Sequence, residues 1–318
     1  MLRFGLRSRQ MGGSYPRRVT LLLNPYARRA GRFDATGALH YLRRRGICAR
    51  LTVPTSVDAM RRAARMSAED GDDLLLVVGG DGSLRVAAGE LAGTKTALGA
   101  VPAGTADVWC REVGIPRRFR AAIEAHLRGQ VVEVDLGRAN GEPFLLMAGI
   151  GWDAFVARSV DPITKRVLGP AAYVLHGFIR APFLRLHDLD ATLEPAELLD
   201  GFDERAARAL IVFGNTRLYA GVTELTPAAS ARDGLLDVWT LTPRTLLAAA
   251  WRGVRLALGR PGQSVPGPRV SRAEIRAPGI PVQLDGDPVG ETPLSIWVEP
   301  RALRVSVPAG PLRGSLAT

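Results

Sequence analysis

Cysteine, histidine and lysine are all scarce in these 318 residues. The two cysteines, Cys48 and Cys110, cannot build a disulfide framework or a thiolate zinc centre. His40, His126, His176 and His187 show no metal-ligand spacing, so a structural zinc is excluded and none is assigned catalysis. The two lysines decide a further question. A Walker A loop needs Gly-Lys-Ser/Thr after its glycine turn, whereas Lys95 follows Thr94 and Lys165 follows Thr164. The chain is no P-loop NTPase. HExxH, GxSxG and GxGxxG are missing as well, which removes the main support for a zinc peptidase, an α/β-hydrolase or an ordinary Rossmann dehydrogenase. No apolar run reaches bilayer-crossing length, and the start, with Arg3, Arg7 and Arg9, has no apolar signal-peptide core. A cytosolic protein is expected.

Acidic residues are short in one place only. Residues 1–70 hold fifteen arginines against four acids, while the remainder holds 27 basic and 27 acidic residues, so the whole net charge of +11 resides in the first seventy. Such clustering, as in Arg43-Arg44-Arg45 and Arg61-Arg62, suits an anionic partner: a nucleotide, a nucleic acid or an anionic membrane surface. Any single cluster is equally read as a solvated helix face in an arginine-rich sequence.

What is present is a globular composition, 47% hydrophobic and 23% charged, at a length that fits two domains. Val19–Leu23 is a short apolar strand stopped by Asn24-Pro25. Helical patterns at 35–45 and at 57–69, the latter capped by Ser56, flank a strand at 48–53. Leu74–Val78 is continuously apolar, as a strand covered on both faces must be. A helix at 84–91, a strand at 97–101, a short helix after Gly104-Thr105 and a helix at 119–126 complete repeated βα units, which imply a parallel sheet. After Gly129-Gln130 the rhythm changes to strands at 131–137, 143–149, 209–213, 234–241, 273–276 and 282–284, with a helical excursion near 160–180. The expected fold class is therefore α/β: an open α/β nucleotide-binding domain at 17–129, then an antiparallel, β-sandwich-like domain at 130–301, with the site in the cleft between them. The segment 302–314 is a candidate to complete the first domain.

Two loops carry the chemistry. Gly79-Gly80-Asp81-Gly82-Ser83 follows the most apolar strand and opens a helix, the place where open α/β sheets bind ligands. Glycines there let backbone amides approach phosphate, and a carboxylate such as Asp81 beside phosphate calls for a cation between them. Pro102-Ala103-Gly104-Thr105 repeats the arrangement after the next strand, so two loops can face one ligand. Asn24-Pro25 ends the first strand at the same edge, with Arg28 and Arg29 beyond it to meet phosphate charge.

These residues, in this order, resemble the catalytic domain shared by diacylglycerol kinases, sphingosine kinases and bacterial lipid kinases. The likeness runs from about Arg17 to Pro308. It continues through Ala148-Gly149-Ile150-Gly151-Trp152-Asp153-Ala154, Tyr219-Ala220-Gly221, Pro227-Ala228-Ala229, Asp233-Gly234-Leu235-Leu236-Asp237-Val238 and Leu284-Asp285-Gly286-Asp287. The resemblance implies an ATP- and Mg²⁺-dependent lipid kinase. It assigns the nucleotide to Asn24, Pro25, Tyr26, Ala27 and Arg28, to Gly80, Asp81, Gly82, Ser83, Leu84, Arg85 and Val86, and to Gly104 and Thr105. Thr55 joins them, with Thr52 the alternative by spacing. It implies Asp287 as general base, Asp285 as its assistant, Asp81 as organiser of Mg²⁺ at the phosphates, and a structural Mg²⁺ near Ser230, Asp233 and the Leu235 carbonyl.

The chain departs from the family at Ser83 (often Thr), Val86 (often Glu), Asp107 (often Asn), Val108 (often Asp) and Asp287 (Glu). Val86 cannot hydrogen-bond at all. The implied partners are a lipid acceptor such as diacylglycerol and an anionic membrane surface, held peripherally from the cytoplasm. Nucleic acid is set aside, and a homodimer is left open. The apolar, arginine-studded segment from Tyr173 to Leu186 is read as a packed helix or a lipid entrance. Two alternatives remain: a kinase of a soluble substrate in the NAD kinase or phosphofructokinase group, and a non-catalytic lipid-binding relative.

Overall fold

A computed structural model describes residues 16–159, 186–195, 207–219, 223–241 and 267–317. The helical excursion expected near 160–180 lies outside these, as does the segment from Tyr173 onward except Leu186.

Strands β1 (Arg18–Leu23), β2 (Cys48–Thr52), β3 (Leu74–Gly79) and β4 (Ala97–Pro102) run parallel in the order β4-β3-β1-β2. Every residue of β3 and β4 is buried, the physical reason their sequences are unbroken apolar runs. Helices α1 (Ala35–Arg43), α2 (Val57–Glu69), α3 (Asp81–Leu91), α4 (Val108–Glu112) and α5 (Phe119–Leu127) cover the sheet. Asp34 and Ser56 cap α1 and α2 by accepting the amides of Gly37 and Ala59 at 2.8 and 3.1 Å. Helix α3 begins three residues before the expected Leu84. Gly80 is its N-cap, and its carbonyl accepts the amides of Ser83 and Leu84, so Asp81-Gly82-Ser83 is the first helical turn rather than a loop.

The second half is antiparallel. It contains β5 (Gln130–Ala139), β6 (Glu142–Phe144), β7 (Met147–Gly151), α6 (Trp152–Ser159), β8 (Ala191–Pro195), β9 (Leu210–Gly214), β10 (Leu218–Tyr219), β11 (Thr223–Glu224), β12 (Leu236–Leu241), β13 (Arg269–Ile275), β14 (Pro281–Leu284), β15 (Asp287–Glu291) and β16 (Leu294–Val307). The single strand expected at 143–149 is broken at Leu145-Leu146, for a reason found in the site below. A core of Phe144, Phe213, Ile296 and neighbours underlies this half, separate from the larger core around Leu21, Leu76 and Trp109.

Strand β16 joins the halves. Its first part pairs with β13, its end pairs in parallel with β4 through Val305 and Leu98, and β5 runs antiparallel along both parts. The register shifts between Glu299 and Leu303, where Arg301 takes a positive φ of 51°. The fully buried Asp135 carboxylate holds that irregularity, accepting the Arg301 and Gly234 amides at 2.7 Å each. An α/β half and a β-sandwich-like half thus share one mixed sheet.

Candidate active site

A cleft of about 790 Å³ lies between the carboxyl ends of the parallel strands and the β14–β15 hairpin. Its lining includes Asn24, Tyr26, Ala27 and Arg28 from the end of β1, and Gly80 to Ser83, Arg85 and Val86 from α3. Gly104 and Thr105 contribute from the end of β4, and Asp285 and Asp287 from the hairpin. Of the nucleotide-binding and catalytic residues that the resemblance singled out in the sequence, three lie outside this lining: Leu84 is 2% exposed within the core, and Thr55 and Pro25 are exposed, Pro25 in the turn that follows β1.

The two glycine loops touch. A β-carbon on Gly104 would lie 2.5 Å from the Gly80 Cα, so each glycine is required by the other's backbone. Asn24 ties the third segment to them, its Nδ2 donating to Ser83 Oγ at 2.9 Å while its Oδ1 accepts the Tyr26 amide. Arg28 lines the cleft. Arg29 lies outside the lining: its guanidinium donates to the carbonyls of Pro102 and Arg117 and stacks 4.7 Å from the Phe119 ring.

Asp81 accepts the amides of Val108 and Trp109 at 3.0 and 3.1 Å, fastening the start of α4 to α3. Burial raises its pKa, against those two hydrogen bonds. Asp107, at a left-handed φ of 49°, accepts the Gly104 amide at 2.8 Å, and burial lifts its carboxyl to about 6, with Asp81 adding to the rise.

The hairpin turn is Asp285-Gly286, with φ of 52° and 87°, the double positive conformation that a two-residue Asp-Gly loop favours. Asp285 is a backbone organiser. Its carboxylate accepts the amides of Leu145, Leu146 and Met147 at 2.8, 2.9 and 3.0 Å, which breaks the strand into β6 and β7. Burial raises its pKa to about 6 in spite of these bonds. The turn then delivers Asp287 as the first residue of β15, over the first turn of α3. A β-carbon on Gly82 would lie 2.3 Å from Asp287 Oδ2.

One group went unassigned from sequence. Asp153 lines the cleft, is buried, and is raised to about 6 chiefly by desolvation. Gln283 donates to it at 2.9 Å and accepts the Gly286 amide at 2.6 Å, wiring α6 to the hairpin. Gly149 leaves room for that carboxylate, since a β-carbon there would sit 2.1 Å from Asp153 Oδ2, a closeness that only the fold reveals.

Two family models match consecutive stretches. The diacylglycerol kinase catalytic domain matches residues 18–139, and the YegS C-terminal NAD kinase beta sandwich-like domain matches 147–307. Over 295 residues the chain is 33% identical to "Probable lipid kinase YegS-like" of Pseudomonas aeruginosa, covering 91% of this chain and 95% of that protein. The chain belongs to the YegS-like and diacylglycerol kinase family. Another relative is a diacylglycerol kinase of Mycobacterium tuberculosis, 31% identical over 308 residues, covering 92% of this chain and 95% of that one. A crystal structure of a diacylglycerol kinase from Bacillus anthracis shares the fold, with a TM-score of 0.70 at 19% identity, covering 93% of this chain and 99% of that one.

The metal shell that the family resemblance implied at Ser230, Asp233 and Leu235 is not assembled in this lipid kinase relative. Asp233 gives one carboxylate oxygen to the Arg269 guanidinium and the other to the Leu235 amide at 3.0 Å. Ser230 Oγ is buried without a hydrogen-bond partner, so one polar atom is free, but Arg269 supplies the positive charge a cation would bring. Among the described residues no group of three or more His, Cys, Asp or Glu is placed to hold a metal.

Proposed function

We propose that this family member transfers the γ-phosphoryl group of ATP to the hydroxyl of a membrane lipid such as diacylglycerol. The observation that carries the reading is the contact of Asp287 with Gly82: a carboxylate from the β half reaches the glycine turn of the α/β half. Amides at the N-terminus of α3, Thr105 and Arg28 bind the phosphates, whose remaining charge a magnesium ion bound with the nucleotide would neutralise. Asp287 takes the proton of the acceptor hydroxyl as the new phosphorus–oxygen bond forms. Asp285 acts one step removed, fixing the turn that aims Asp287. Asp81 is limited to second-hand influence on the phosphates by its two amide bonds to α4. Arg85 and Val86 close the wall behind.

The acceptor reading rests on the far wall of the cleft, where Leu146, Met147, Ala157 and Leu218 are apolar. This supports an acyl chain over a soluble dinucleotide, the alternative that the NAD kinase-like description of the C-terminal half brings up. Labelled ATP offered with diacylglycerol in mixed micelles, and in parallel with NAD, tests the choice. Labelled phosphatidic acid is expected. Label entering NAD alone moves the protein to the soluble-acceptor branch, and label entering neither leaves a binding protein.

A further inference from the structure

Glu112 takes no part in the chemistry above, yet this acid is 4% exposed at the meeting point of three segments. It is the last residue of α4, and its carboxylate accepts three backbone amides from elsewhere in the chain. Oε2 accepts Leu218 at 3.1 Å, and Oε1 accepts Arg217 at 3.3 Å and Ser315 at 2.7 Å. A carboxylate taken out of water costs stability unless such donors surround it, so it holds all three segments to one geometry.

The first partner is a wall of the cleft. The amides of Asn215 and Thr216 donate to the Leu146 carbonyl at 2.8 and 3.2 Å, and the Asn215 side chain donates to the Leu145 carbonyl at 2.9 Å. That end belongs to the β half. Within two residues the chain lands on Glu112 in the α/β half, so Leu146 and Leu218, both apolar lining residues, stand at opposite ends of a short bridge between the halves. Tyr219, next along, also lines the cleft and bonds Asp153.

The second partner is the segment that follows β16. Gln130 donates to the Gly310 carbonyl at 2.7 Å, the Ala231 amide donates to the Ser315 carbonyl at 3.0 Å, and Leu316 is 1% exposed in the larger core. Gly314 has a φ of 56°, and a β-carbon there would lie 2.4 Å from the Glu112 carbonyl oxygen, so this segment runs directly against α4. The opposite end of α4 is held by Asp81 through Val108 and Trp109. The helix is a strut from the nucleotide turn to the apolar wall.

We propose that Glu112 is a positioning residue for the acceptor: it fixes Leu218 and Tyr219 against the α/β half and so sets the width of the apolar side of the cleft, with residues 308–317 as the clamp behind it. The inference rests on the kinase reading only in taking that side as the acceptor's. Glu112 itself touches neither substrate.

The test is Glu112→Gln beside wild type. The carboxamide can keep its oxygen toward Arg217 and Ser315, which leaves its NH₂ facing the Leu218 amide, donor against donor. Three measurements are made: amide hydrogen exchange, calorimetric binding of dioctanoylglycerol without nucleotide, and initial rates against both substrates. Exchange at Leu218 should quicken, and dioctanoylglycerol should bind roughly ten-fold more weakly with its KM raised alike, while kcat and the KM for ATP change little. Unchanged exchange at Leu218 overturns the proposal, and so does unchanged lipid affinity despite faster exchange. A rise in both KM values together, which a generally loosened fold would give, overturns it as well. If the glutamine variant does not fold, Glu112→Asp, which keeps the charge on a shorter side chain, is read in the same way. Weaker dioctanoylglycerol binding by the variant, with no phosphoryl transfer by wild type, supports the wall and counts against the kinase reading alone. A wild type that binds no dioctanoylglycerol overturns the wall and the proposal with it.

Discussion

Asp287 Oδ2 occupies the space that a side chain at Gly82 would need. The general base proposed for one half of the protein and the glycine turn proposed to hold nucleotide in the other are thus each other's steric complement. Gly82 stands inside the first turn of α3, where alanine is otherwise the better helix former.

Gly82→Ala is therefore expected to lose stability, on the order of 1–3 kcal/mol for a clash in a packed site, together with most of its turnover. In an Asp287→Ala background the same substitution becomes neutral or stabilising. Thermal melts of the four proteins in this double-mutant cycle measure the coupling. A Gly82→Ala penalty that persists without the carboxylate shows that the two residues do not meet.

Asp287→Asn keeps the shape and removes the basicity. Lipid phosphorylation should fall roughly 10² to 10⁴-fold while nucleotide affinity changes little, and Asp287→Glu should keep measurable activity. Initial rates and nucleotide titrations check both; wild-type turnover in the asparagine variant moves the base elsewhere.

Asp81→Asn would touch phosphate chemistry alone if Asp81 were only a metal organiser. Its bonds to Val108 and Trp109 require more: an asparagine turns one acceptor into a donor facing an amide, so about 1–2 kcal/mol of stability goes with it, as on losing a helix cap. Denaturant unfolding and turnover should both fall. Unchanged unfolding with lost turnover restores the purely catalytic role.

His126 is buried between Ala100 and Ser306, tying α5 to β4 and β16, and burial lowers its pKa to about 4. From pH 6.5 down to about 4 the unfolded chain binds the proton that the folded chain refuses, so stability is lost as pH falls through that window. The contribution is on the order of 3 kcal/mol. Asp107, Asp153, Asp237 and Asp285, raised to about 6, work in the opposite sense, losing stability as pH rises toward 6. The readout is accordingly the difference between wild type and His126→Gln: their stabilities should diverge least at pH 4 and most near neutrality. A constant difference across the range assigns His126 no part in the acid response.

Local chemistry was legible in the sequence and long-range pairing was not. The runs of β3 and β4 and the Ser56 cap each carry their cause in adjacent residues, and the structure has both. The start of α3 was hidden because glycine and aspartate read as loop, although aspartate is favoured in a first helical turn. The role of Asp285 was hidden for a different reason. A catalytic assistant and a half-buried acceptor of three amides call for the same residue in the same Asp-Gly turn, and only the positions of Leu145, Leu146 and Met147 separate them. Likewise Arg28 and Arg29 are neighbours of one type, yet one lines the cleft and the other holds Pro102 and Phe119. Arg269 and Asp233 lie 36 residues apart, beyond any local pattern.

Strand β16 also fixes an order of events during synthesis. The α/β half has its first four strands made by Pro102, yet β4 has its other neighbour only when Leu303–Val307 is translated, about two hundred residues later. At roughly 5–20 residues per second, that leaves the edge of β4 without its partner for some 10–40 s on each ribosome. An apolar parallel strand with an open edge is a site for wrong pairing, so nascent chains stalled before Leu294 should aggregate or recruit chaperones, and release of the last strand should end that exposure for both halves at once.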